Sequence, residues 1–170
     1  PPHNTNCFYL CRYDYSETDF STKRCINGPP SKKSLVHSAL REVVRETIQR
    51  EKVRWFDENK TKDNVIKIDE EDFKFEDIHA DHRSPMTFEA IAVTFLVKMN
   101  LSLEAVDIED SRDNNSIRKL SDRELREKFL IWHNKLAQIF IVAKRYNLSE
   151  GPKHRMKVSK IDEAYQLQLK

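Results

Sequence analysis

"SDRELREKFLIWHNKLAQIFIVAKRY", residues 121–146, is the stretch on which the fold turns. Ser121, with Glu124 three residues on, has the form of a helix capping box. Leu125, Phe129, Trp132, Leu136, Phe140 and Ala143 then recur at helical spacing, and Leu130, Ile139 and Ile141 widen the stripe beyond a single face. The pattern predicts one long core helix over residues 122–146.

Two further segments are built to pack on it. "SLVHSALREVVRETIQREKVRWF" opens at Ser34, a side chain suited to capping, and sets Val36, Leu40, Val43, Val44 and Thr47 on one helical face. Trp55 and Phe56 close its end. "SPMTFEAIAVTFLVKMNLS" offers Ser84 as a cap and Pro85 at the favoured first position, and is apolar nearly all round, as a central helix would be. Short helices are expected after Ser102 and from Ser159. "NVIKI" reads as an extended segment, and residues 69–82 as a short helix or ordered loop. The chain holds only two glycines, Gly28 and Gly151. A sandwich or doubly wound sheet draws on many positive-φ turns that glycine supplies. The fold expected is therefore all-α: a compact multi-helix bundle over residues 34–170, joined in one domain to an irregular arm over residues 1–33.

Composition fits such a domain. The 170 residues suffice for one core, and apolar residues at 38% against charged residues at 34% describe a polar but foldable chain. No stretch approaches the roughly 20 apolar residues of a membrane span. The net charge of +2 conceals three zones. Residues 1–60 hold 11 Lys/Arg against 8 Asp/Glu, residues 61–116 hold 6 against 14, and residues 117–170 hold 13 against 6. An acidic middle and a basic end neutralise each other or present separate faces to partners.

The arm contains every cysteine. Cys7, Cys11 and Cys25, with His37 as fourth ligand, make a candidate Cys3His zinc set that would pin the arm to the first helix. The spacing, with 3, 13 and 11 residues between successive ligands, matches no familiar zinc signature. Free or buried thiols, with or without one disulfide, are the plainer reading. "HADH" brings His79, Asp81 and His82 together, a set that metals use, but it reads more simply as a solvated acidic turn. His133, on the stripe of the long helix, reads as a core histidine. "DIEDSRDNN" lacks the EF-hand glycine and has Arg118 where the closing glutamate belongs. No nucleophile elbow, phosphate loop or dinucleotide fingerprint is present, so no catalytic residue is assigned.

Lys144, Arg145, Lys153, Arg155, Lys157 and Lys160 gather at the basic end, with His154 and Tyr146 among them, as a candidate nucleic-acid-binding surface. Together these features point to a non-enzymatic, intracellular regulatory or scaffolding module, nuclear sooner than cytoplasmic. It would dock a protein partner, within a nucleic-acid-handling assembly. The alternatives are a direct DNA- or RNA-binding domain stabilised by zinc, and a secreted helical signalling factor. The sequons at Asn59, Asn100, Asn114 and Asn147 would matter only for the last.

Overall fold

The structure is a computed structural model and describes residues 7–15, 17–21, 26, 28–109 and 118–145. The chain is mixed α/β, which overturns the all-α expectation. In order it forms β1 (Cys7–Cys11), β2 (Glu17–Ser21), α1 (Lys32–Asn59), β3 (Ile66–Ile68), β4 (Glu71–Phe73), a 3-10 turn (Phe75–Asp77), β5 (Ile78–His82), α2 (Phe88–Lys98), α3 (Arg123–Leu136) and β6 (Ile139–Ala143). Among the described residues the strands pair as three separate antiparallel ribbons, β1–β2, β3–β4 and β5–β6.

The correction lies within residues 121–146. Asp122, rather than Ser121, caps α3, its carboxylate accepting from the amides of Glu124 and Leu125 at 2.8 and 3.1 Å. The helix stops at Leu136, where the Ala137 amide donates to the His133 carbonyl at 2.7 Å. After Ala137 and Gln138 come Ile139, Phe140, Ile141, Val142 and Ala143. A short run of β-branched and aromatic residues suits a pleated strand as well as a helix, and periodicity does not separate the two. The deciding partner is the acidic segment that reads as a turn. Ile78 to His82 pair with Ala143 to Ile139 in register.

The other boundaries shift for local reasons. α1 starts from Ser31, whose hydroxyl accepts from the Ser34 amide at 3.2 Å, and runs on past Phe56 to Asn59. α2 is capped by Thr87, which accepts from the Ala90 amide at 3.2 Å, after a cis Ser84–Pro85 peptide. Ser102 caps only a turn, accepting from the Ala105 amide at 3.3 Å. The predicted arm includes a hairpin, turned where the Tyr15 amide donates to the Arg12 carbonyl at 2.9 Å. The short helix expected from Ser159 lies outside the described residues.

Two apolar clusters result. The larger takes Val36, Leu40 and Val44 from α1, Ile91 and Phe95 from α2, and Phe129 and Leu136 from α3. Phe129 packs edge-on against Phe95 and Phe88, with ring centres 5.0 and 6.3 Å apart. The smaller gathers Phe56, Ile66, Phe73, Ile78 and Ala143. α1 passes through both. Fully burying one such aliphatic or aromatic side chain contributes about 1.5–3 kcal/mol.

Candidate functional site

One stripe of α1 runs along the margin of the larger cluster, with Ile48 packed against it and Arg41 over its Phe88 ring. Ser38, Arg41, Glu42, Arg45, Ile48 and Gln49 recur every three to four residues, which aligns them along the helix. They form one wall of an open cleft of about 580 Å³. The facing wall is β5 through Ala80, Asp81 and His82; Phe88 and Arg118 also line the cleft.

The cleft is rich in guanidinium groups. Arg45 pairs with Glu42 at 2.9 Å. The Arg41 guanidinium lies 4.7 Å from the centre of the Phe88 ring, where a cation meets the negative face of the aromatic system. Asp81 turns back on its own strand, its carboxylate accepting from the His82 amide at 2.8 Å. Arginine presents a planar fork of donors suited to carboxylate and phosphate oxygens.

Behind this wall sits a histidine pair. His82 Nε2 and His133 Nε2 are 2.8 Å apart, so one ring donates and the other accepts. His133 Nδ1 lies 3.2 Å from the Asn134 side-chain oxygen. That oxygen accepts from Nδ1–H, which leaves His133 Nε2 as acceptor and His82 Nε2–H as donor, both rings neutral. Burial holds His82 down to about 4, with the neighbouring His133 and Arg41 charges acting in the same direction. Burial likewise lowers His133, opposed by its bond to Asn134. The rings of His82 and His37 both stand edge-on to Phe88, at 5.7 and 6.4 Å.

Of the zinc ligands and basic residues singled out in the sequence, the structure describes the backbone of Cys7 and Cys11, and also His37, Lys144 and Arg145. Cys7 and Cys11 sit at opposite ends of β1, which holds their α-carbons about 13 Å apart. Cys25 lies outside the described residues. His37 is buried beside Phe88, and burial and then Lys33 lower its pKa against the opposing charge of Glu89. Among the described residues, no group of three or more His, Cys, Asp or Glu side chains is placed to hold a metal. His79, Asp81 and His82 belong to a strand and not to a solvated turn, and alternation sends His82 to the face opposite the other two.

Of the basic end, Lys144 and Arg145 are described. Arg145 pairs with Glu71 and stacks 5.3 Å from the centre of the Phe73 ring. Lys153, Arg155, Lys157 and Lys160 lie outside the described residues. Sequence reasoning missed Arg41, Arg45 and Arg118. The polar stripe of α1 was readable at its helical spacing, but its opposing wall exists only once residues 78–82 are a strand. No helix among the described residues is long and apolar enough to cross a membrane. Comparison with protein families, curated proteins and solved structures finds no match to this chain.

Proposed function

We propose that this chain is a non-enzymatic docking module whose α1–β5 cleft holds an anionic part of a protein partner. One observation carries the reading: Arg41 and Arg45, about one turn apart on α1, both line a single cleft facing β5. Its size lies within the range of ligand-binding clefts. A regulatory or scaffolding role inside the cell, in the nucleus first, accords with docking in place of chemistry. The basic residues beyond β6 are then an auxiliary contact to nucleic acid or to the same partner.

The test is a photo-crosslinking amino acid at Gln49, on the cleft wall, in the full chain expressed in cells. The expected result is one dominant crosslinked protein that Arg45→Glu removes while the melting temperature holds. Crosslinking that is unchanged by Arg45→Glu, or that is equal from an outward position such as Lys128, would sink the docking role.

A further inference from the structure

The end of β5 is tucked into the corner where α3 turns into β6. His82, its last residue, pairs with Ile139, the first residue of β6, and Ala137 and Gln138 are all that separates Ile139 from the end of α3. The bond between His82 Nε2 and His133 Nε2, at 2.8 Å, closes that corner. Around it four rings form a closed cycle. His82 stands edge-on to Phe88 at 5.7 Å and Phe88 to Phe129 at 6.3 Å; Phe129 lies 6.2 Å from His133, and His133 returns to His82 at 5.1 Å.

The two ends of β5 are held on different terms. Ile78 and its partner Ala143 are fully buried in the smaller cluster. Past the other end, the Arg83 amide reaches the Gln138 carbonyl at 3.5 Å, a long bond. The His82 end therefore leans on its ring contacts and on the imidazole pair.

The pair holds a fixed number of protons. Nδ1–H of His133 is given to Asn134, and one further proton sits between the two Nε2 atoms. A first added proton goes to His82 Nδ1 and leaves that bond in place. A second goes to His133 Nε2, where two N–H groups would face each other and the bond is lost. The charges around the pair come from several elements. α1 supplies Arg41, over the Phe88 ring, and the Arg45–Glu42 ion pair, and its His37 meets the same Phe88 ring. β5 supplies Asp81, bonded to the His82 amide, and Arg83 follows it, over the Phe140 ring. β6 offers the uncharged Ile139 and α3 the uncharged Asn134, while Arg118 lines the cleft beside His82. Burial, the His133 charge and Arg41 all oppose a proton on His82, and burial opposes one on His133.

We infer that His82 and His133 form an acid-released latch. At neutral pH they hold the end of β5 in its corner; when both are protonated that end swings free, and the β5 wall of the cleft goes with it, while Ile78 stays anchored. The inference does not depend on what the cleft holds. Once free, both rings return to the ordinary value near 6.5. The open form then carries two protons that the closed form lacks, so the closed form is favoured in full above pH 6.5 and loses ground as the pH falls. Below that value the opening constant rises by up to about 100-fold per pH unit, against about tenfold for a single histidine.

The test is amide exchange of the full chain by NMR from about pH 7 to about pH 4.5, corrected for the intrinsic pH dependence of exchange. Arg83 and Gln138 set the phase of the ladder, so Asp81 bonds with Phe140 and His79 with Val142. Protection of the Asp81 and Phe140 amides should fall steeply, towards about 100-fold per pH unit. Val142, near the anchored end, should lose less, and Phe129 on α3 and Val44 on α1 should hold. His133→Gln keeps an acceptor for the His82 Nε2–H and removes one proton site. It should leave the ribbon shut at pH 7 and cut the slope to about tenfold per unit. In the unaltered chain the ring signals of His82 and His133 should titrate together with the loss of Phe140 protection.

Equal loss at Phe140, Phe129 and Val44 would mean global unfolding and overturn the latch. A slope unchanged by His133→Gln would place the protons elsewhere and overturn it as well. So would rings that titrate near 6.5 while Phe140 stays protected, because the pair would then not hold the strand.

Discussion

α1 runs through two cores that are built on different terms. Its first half is held by interlocked rings and aliphatic side chains from two other helices, around Phe88, Phe95 and Phe129. Its second half rests on a few residues of short strands, and cations close the margins. Lys52 lies 4.1 Å from the centre of the Phe75 ring, and Arg145 sits over Phe73. The difference teaches where function can be placed. A helix anchored deeply on one side can expose Arg45 on the other without depending on it for its position, whereas Arg41, over Phe88, covers a core ring as Lys52 and Arg145 do in the second half.

The sharpest way to break this comparison is Phe129→Ala. Phe129 touches Phe88, Phe95 and His133, and its loss should cost about 3–5 kcal/mol, read as a fall in the urea midpoint. A cost near 1 kcal/mol would mean that the larger core is not the stronger anchor.

Acid is the next probe. The His82 pKa is about 4 in the folded chain against an ordinary 6.5, so the unfolded chain binds more protons between those values. Stability is full above pH 6.5 and falls as the pH drops towards 4, by on the order of 3 kcal/mol from this group. The charged and titratable groups around it are Arg41 on α1, Asp81 beside it on β5, and His133 on α3. His82→Phe combined with His133→Leu should flatten the slope in chemical denaturation run across that window. A slope that survives the double change would place the acid sensitivity elsewhere.

The smallest effect belongs to the second core. Ile66→Ala should cost about 2–3 kcal/mol, at the low end for such a deletion, because the short strands around it can settle into the space. A cost equal to that of Phe129→Ala would erase the distinction between the two halves of α1.

Much of the larger core could be read from residue spacing. Val36, Leu40 and Val44, and likewise Leu125 and Phe129, fall where helical periodicity puts them, since each helix makes its own backbone bonds and needs only a buried stripe. β6 could not be read in that way. Ile139 to Ala143 carry no local mark of a strand beyond β-branching, and their partner is a charged segment far off in the chain. The cleft was hidden for the same reason. Arg41 and Arg45 look like ordinary solvated arginines on a helix until β5 stands opposite. Asp81 and His82, weighed as metal ligands, are found bonded to a backbone amide and to His133.

The β5–β6 ribbon joins residues 57 to 65 positions apart, from His82 with Ile139 to Ile78 with Ala143. Contacts of that sequence separation form after local helices, because a long loop must close before any bond is gained. Until β6 arrives, β5 lacks the strand that pairs with it among the described residues. During that interval the nascent chain is most exposed to pairing with another copy of itself, and the Asp81 carboxylate stands on that strand from the outset. Asp81→Val, which removes that charge, would raise the fraction of newly made chains lost to aggregation.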